Sequence, residues 1–213
     1  MAARSPLLIA NAALQRAGGV GRLASWEDSA DLAQGVRDLW PHAIDLVLGA
    51  APWACTERAV RLAKVEAGLA DAPWLWRYPL PADRIEPPRR YFLSPAQPRP
   101  FLELEPRGDA VLADVEDLWC IVRVEPPPHE WPAYLAAVFT TAFASLIASG
   151  LISNATRAEQ LYRDAFGSAI EEGRGGLMGN ALLLEAQSKP ARPLAGDDPG
   201  PLLTAWRSGW SGD

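Results

Sequence analysis

The sequence predicts an α+β protein in which a four-helix-type bundle carries a small inserted β-rich domain between its second and third long helices. Three observations lead to this prediction. Apolar residues recur at helical spacing in two stretches before the middle of the chain and in two stretches after it. Between them the helical periodicity fades, prolines cluster, and short β-like runs alternate with turn residues. An extended C-terminal arm, rich in proline, glycine and aspartate, completes the predicted fold.

The first part of the bundle is predicted within residues 1–55. Ser5 followed by Pro6 is a typical helix start, because the hydroxyl can accept from a free amide and proline fits the first turn. Ser25 is the predicted cap of the second helix, which Pro41 should kink. The stripe predicted to be buried on this helix consists of Leu32, Val36, Leu39, Ala43 and Val47.

The inserted β-rich domain is predicted within residues 56–127. The "PRGD" sequence at residues 106–109 should form a turn between two of its strands. The alternation of strands and helices that is typical of a parallel sheet is absent. The candidate strands are Ala59–Leu62, Leu75–Tyr78, Arg90–Leu93, Phe101–Glu105, Ala110–Ala113 and Leu118–Val124.

The second part of the bundle is predicted within residues 128–175, with Pro132 in the first turn of the third helix and Ser153 or Asn154 capping the fourth. The segment Trp131–Ile152 carries no charged side chain and reaches the ~20 residues that a membrane-spanning helix needs. It is rich in Ala, Ser and Thr and has no flanking basic cluster, which favours a buried helix of a soluble bundle.

The charge and the cysteines of the chain indicate its class. A formal net charge of -6 and a pI near 5.0 argue against a protein that grips a phosphate backbone. Cys55 and Cys120 lie far apart without Cys-x-x-Cys spacing, and the N-terminal residues lack the continuous apolar core of a signal peptide. These features predict an intracellular protein with reduced thiols.

No set of residues predicts catalysis, a metal site or a cofactor. His42 and His129 have no second His or Cys at ligand spacing. The acidic residues around Asp114 lack the alternating ligands and the central glycine of a calcium loop. Neither a Gly-x-Ser-x-Gly elbow nor a phosphate-binding loop occurs. The sequence therefore predicts a non-enzymatic protein.

Tryptophan is abundant, with nine in the chain. Most lie at predicted seams between elements, where packing explains them, but Trp206 and Trp210 lie in the predicted arm, residues 176–213. Their spacing of four residues would place both on one helical face, as anchors for a partner. Together with Arg207 they form the candidate partner interface, since tryptophan and arginine often dominate binding energy.

Several motifs follow one another in a distinctive order: "NAALQRAGG", "PWACTERAVRLA", "WLWRYPLPADRIEP" and the long apolar helix that begins near Trp131. The residues that distinguish them most are Pro52, Trp53, Tyr78, Pro79, Pro81 and Asp83. In this order and spacing, the stretch Asn11–Gly173 resembles the tail tubular protein A family, the head-to-tail adaptors of short-tailed bacteriophages.

The resemblance implies a structural adaptor of a virion, assembled in the host cytoplasm and located in the tail or neck. Its copies would form a ring, commonly of twelve, that joins the portal protein to a tail nozzle or another tail protein. Double-stranded DNA would pass through the lumen without specific binding, which an acidic chain suits because like charges repel. No cofactor and no membrane partner are implied.

Two alternatives from other classes remain. A tail-associated glycan hydrolase would require a carboxylate pair such as Glu171 with Glu172 or Asp114 with Glu116. Adjacent residues of a helix diverge by about 100°, so the first pair is poorly placed to flank one bond. A single-span membrane protein built on Trp131–Ile152 is the second alternative.

Overall fold

The computed structural model describes residues 4–19, 21–68, 71, 73–96, 99–171 and 175–188. Within these residues, five α-helices and two antiparallel sheets with seven strands form a mixed α/β protein. The helices are α1 (Pro6–Ala17), α2 (Asp31–Leu48), α3 (Ala133–Gly150), α4 (Ala155–Phe166) and α5 (Gly176–Ser188). The strands are β1 (Glu57–Arg61), β2 (Val65–Glu66), β3 (Trp76–Pro79), β4 (Arg84–Phe92), β5 (Glu105–Arg107), β6 (Ala110–Ala113) and β7 (Trp119–Val124).

The predicted α+β class, a four-helix-type bundle with a small inserted β-rich domain and an extended C-terminal arm, is wrong. A fifth helix, α5, packs against α3 and α4 and buries Met178 and Ala181, so the helical part is not a four-helix bundle. The β part is not small, because its strands form two sheets with a second buried core. Residues 176–188 of the predicted arm are helical, and residues 189–213 lie outside the described part.

The capping residues predicted for the first two helices agree with the structure at α1 but not at α2. α1 begins as predicted, with the Ser5 hydroxyl accepting from the amide three residues later, and it ends at Gly18 with φ 86°. α2 begins at Asp31 and not after Ser25. The side chains of Ser25 and Asp28 each accept from the amide two residues later, so they stabilise turns that precede the helix.

The centre of the helical part is α3, which packs against the other four helices. Twelve of its residues are buried, and the hydroxyls of Thr140 and Thr141 donate to carbonyls one turn earlier. By length and composition, with a mean hydropathy of 1.6, α3 could cross a membrane. However, 67% of it is buried within the fold, which is typical of a core helix.

The two sheets have the strand orders β1-β7-β4 and β2-β3-β6-β5, and every pairing is antiparallel. Five of the six predicted strands coincide largely or partly with observed ones. The predicted strand Phe101–Glu105 is wrong, because the Leu104 amide donates to the Leu102 carbonyl in a turn and β5 begins only at Glu105. The two-residue strand β2 was not predicted.

Candidate assembly interface

The connection from α2 to β1 contains the Pro52-Trp53 pair. Trp53 is fully buried, and its indole Nε1 donates to the Val47 carbonyl oxygen at 2.9 Å. Thr56 is also fully buried, and its hydroxyl donates to the Trp53 carbonyl oxygen at 2.7 Å. The first bond satisfies a carbonyl group in the last turn of α2, which has no partner within the helix itself. The second adds a side-chain donor to a carbonyl that also accepts from the Thr56 amide at 3.0 Å. The two side-chain hydrogen bonds of Trp53 and Thr56 therefore fix the path of the chain from α2 into β1.

A buried arginine ties this connection to the sheet. Arg123, in the central strand β7, has a side chain that is only 6% exposed. Its guanidinium donates to the carbonyl oxygens of Leu48 and Ala51, and to the Thr56 hydroxyl at 3.2 Å. It also forms an ion pair with Glu86 Oε1 of β4 at 3.1 Å. A buried charge persists only with such partners, so Arg123 holds the end of α2 against the sheet.

The end of α5 meets the same connection. Glu185 is 5% exposed, and its carboxylate accepts from the Ala54 amide and from the Tyr134 hydroxyl, both at 2.7 Å. Burial and the neighbouring Glu185 carboxylate raise the pKa of Tyr134 to about 12. Burial, with a smaller contribution from Glu185, raises the pKa of the Cys55 thiol to about 11. A thiol of this kind is a poor nucleophile at neutral pH.

The return from β7 to α3 has its own connection. Trp131 is 1% exposed, and its indole donates to the Pro126 carbonyl oxygen at 2.8 Å. Trp40 of α2 donates to Glu125 Oε1 at 3.2 Å. Two polar connections, one at each end of the strand region, therefore fix the sheets relative to the helices.

Next to the first connection lies an exposed strand edge. β1 pairs with β7 on one side, and no other described strand pairs with it. Four of its five residues are exposed, which includes both faces of the strand. In a monomeric antiparallel sheet one face is normally packed, and a free edge presents unpaired amides and carbonyls to a second chain. We define the edge surface by the exposed residues Pro52, Ala54, Glu57, Arg58, Ala59 and Arg61.

The charges of the edge surface are weakly paired. Arg58 reaches Glu130 only at 3.9 Å, with both side chains about half exposed. Arg61 forms an exposed ion pair with Asp117. Exposed pairs of this kind contribute about 0–1 kcal/mol and can exchange partners readily. The edge surface thus offers hydrogen-bonding backbone, small apolar side chains and two arginines to a partner.

The second motif region, which we define as residues Tyr78–Arg84, contains the turn between β3 and β4. Tyr78 is fully buried and its hydroxyl donates to the Val115 carbonyl oxygen; burial and nearby acidic residues raise its pKa. Pro79 ends β3 and is exposed, Pro81 is half-buried and accepts from Arg84 at 2.8 Å, and Asp83 is exposed. The turn lines a cleft of about 430 Å³ that also contains Glu86.

The structure thus brings the two motif regions together through residues that the sequence patterns did not indicate. Arg123 contacts the chain next to Pro52-Trp53, and its partner Glu86 follows the Tyr78–Arg84 segment. The one sequence signal for Arg123 is a charge between two valines in a strand. The candidate partner residues Trp206, Arg207 and Trp210 lie outside the described residues.

The described carboxylates that a glycan hydrolase would require form hydrogen bonds or ion pairs with other residues of the chain. Asp114 accepts from the Leu75 amide at 2.6 Å, and Glu116 forms an ion pair with Lys64. Glu171 accepts from the amide and hydroxyl of Ser168, which lower its pKa, and Glu172 lies outside the described part. Among the residues that the structure describes, no group of three or more His, Cys, Asp or Glu is arranged to hold a metal ion.

No protein-family model matches the chain, and no curated protein matches its sequence.

Proposed function

We propose that this chain is a structural head-to-tail adaptor of a bacteriophage virion. Copies of the chain form a ring that joins the portal protein to a tail nozzle or another tail protein and continues the DNA channel. The proposal starts from the order of motifs described above. The structural observation that carries it is the edge surface on β1, which is exposed on both faces and along its free edge.

A ring needs a head-to-tail contact, in which two different surfaces of each copy meet. The edge surface suits one side of this contact, because an unpaired strand edge takes up another chain through backbone hydrogen bonds. In the ring, a neighbouring copy covers it. The chain carries a net charge of -6, so Arg58 and Arg61 also provide local positive charge towards an acidic neighbour.

The edge surface is held on a rigid support. Trp53, Thr56 and Arg123 fix the residues that precede β1, and Glu185 fixes the Ala54 amide. A surface that is already ordered loses little conformational entropy on binding. This favours a repeated contact of constant geometry, as a closed ring requires.

Negative-stain electron microscopy tests the proposal. The protein is imaged alone and after mixing with the portal protein of the same phage. We expect rings in at least the mixed sample, seated on the portal. Absence of rings from both samples would contradict the adaptor function.

The role of the candidate partner residues is tested separately. We propose that Trp206, Arg207 and Trp210 dock on the portal. Deletion of all residues after Lys189 should then weaken capture by immobilised portal at least tenfold, as should the double change Trp206→Ala with Trp210→Ala. Replacing Ser208 with Ala, between the two tryptophans, is the matched control and should leave capture unchanged. Unchanged capture by the deleted protein would exclude this docking.

A further inference from the structure

A second cleft lies in the helical part, away from the edge surface. It has a volume of about 620 Å³ and is walled by α1, α3, α4 and α5. Its ionisable lining consists of three arginines and one aspartate: Arg16, Arg157, Arg163 and Asp164. Arginine therefore outnumbers aspartate in this cleft, although the chain as a whole carries a net charge of -6. We call it the arginine cleft.

Two of the three arginines have no carboxylate partner in the described part of the chain. Arg157 is half-buried, and its Nε and Nη2 donate to the Arg16 carbonyl oxygen at 3.0 and 2.8 Å. Arg16 donates from Nη1 to the Thr141 hydroxyl. Only Arg163 is paired, with Glu159 one turn earlier on α4. The two positive charges of Arg16 and Arg157 are therefore held in place by neutral acceptors.

The remaining donors are suited to an oxyanion. A guanidinium carries five N–H groups in a planar fork. Arg157 also donates from Nη1 to Gln160 Oε1 at 3.5 Å, and the contacts of Arg16 and Arg157 still use only part of their N–H groups. The first turn of α5 supplies part of the wall through Gly176 and Leu177. Amides in the first turn of a helix lack partners within the helix and favour nearby negative charge. The cleft volume also lies within the range of sites for small ligands.

We propose that the arginine cleft binds a compact oxyanion, a phosphate or carboxylate group, between the guanidinium groups of Arg16 and Arg157. The bound group supplies the negative charge that no carboxylate among the described residues provides to these two side chains. Polyanions with two or more charged groups bind more tightly than single ones, because both guanidinium groups are engaged at once.

Isothermal titration calorimetry at low salt tests the proposal with pyrophosphate in one arm and citrate in the other. We expect saturable binding with one site per chain, weakened by 0.5 M NaCl because the charges are partly exposed. The arm with the tighter binding identifies phosphate or carboxylate as the preferred group. No saturable binding in either arm would overturn the proposal.

Matched variants locate the binding. Asn180 is an exposed residue of the cleft wall, so Asn180→Asp adds a negative charge without touching the arginines. It should weaken binding about tenfold, whereas Gln187→Glu, which makes the same amide-to-acid change at an exposed position of α5 outside the cleft lining, should change it less than about twofold. Arg16→Gln, also at an exposed position, should weaken binding by about tenfold or more. Equal binding by the wild type, Asn180→Asp and Arg16→Gln, each with an unchanged unfolding temperature, would show that the oxyanion binds elsewhere.

Discussion

The helical part and the β part of this protein both have an apolar core, but the core of the helical part is richer in aromatic rings. Around α3, aromatic rings pack against one another: the ring of Phe139 lies 4.8 Å from that of Trp40 and 4.7 Å from that of Trp131. In the β part, the buried Asp71 lies between Arg77 and Arg107 at 3.2 and 3.5 Å. The comparison shows that one chain combines a helical core of packed aromatic rings with a β part whose apolar core is supplemented by a buried charge between two arginines.

The largest effect is expected in the aromatic core. Phe139→Ala removes a fully buried ring and leaves a cavity among its neighbours. The free energy of unfolding, measured in urea, should fall by about 3–5 kcal/mol. Tyr162→Ala on α4, where the side chain is 47% exposed, is the control and should cost about 1 kcal/mol or less. Similar losses in both variants would contradict the assignment of the core.

The next effect concerns the attachment of the sheets. Arg123→Met should lower the free energy of unfolding by about 3 kcal/mol, because it leaves Glu86 and two carbonyl groups without their buried donor. Arg89 contacts the other oxygen of the same Glu86, but its side chain is 73% exposed. Arg89→Met should therefore change the stability by only about 0.5 kcal/mol. If the two variants lose equal stability, Arg123 does not hold the sheets to the helices.

A smaller effect is expected at the end of α5. Glu185→Gln keeps the shape of the side chain but weakens its bonds to the Ala54 amide and the Tyr134 hydroxyl. The expected loss is about 1–2 kcal/mol in the urea unfolding experiment. Gln187→Ala, at an exposed position of the same helix, should stay within about 0.5 kcal/mol of the wild type. No loss in Glu185→Gln would show that this contact does not anchor α5.

The last effect, confined to alkaline solution, is a dependence of stability on pH in both parts. Burial raises the pKa of Tyr91 in the β part and, with Glu185, that of Tyr134 in the helical part, each to about 12 from the usual 10. Above pH 10 the unfolded chain loses these protons first, so the free energy of unfolding falls as the pH rises towards 12.

Single variants separate the two contributions. Tyr91→Phe and Tyr134→Phe should each reduce the slope of the unfolding free energy against pH in this range, and the double variant should reduce it further. The slope is measured by urea unfolding at several pH values. A double variant with the slope of the wild type would contradict the role of these two hydroxyl groups.

The elements that could be predicted are those with local signals. Ser5, Pro6 and Gly18 determine the bounds of α1, and Ala110–Ala113 forms a strand as its apolar run indicates. α5 escaped prediction because its apolar residues surround the helix and show little periodicity: Leu183 and Leu184 are exposed while Met178 is buried.

The polar connections could not be predicted, because their partners are distant in sequence. Arg123 is bound by backbone carbonyls at Leu48 and Ala51, and any residue type supplies a carbonyl. Nothing in the sequence pattern distinguishes these acceptors from others. In the same way, exposure of both faces of β1 depends on what packs nearby, although the strand itself has a local signal.

The adaptor proposal depends most directly on the edge surface, and one pair of variants tests it. Ala59→Glu adds a charge to the exposed strand β1, whereas Ala155→Glu adds the same charge at the first turn of α4, where a helix favours it. Mixed with the portal, the wild type and Ala155→Glu should form rings in negative-stain images, and Ala59→Glu should not. Rings of equal abundance in all three samples would contradict the account.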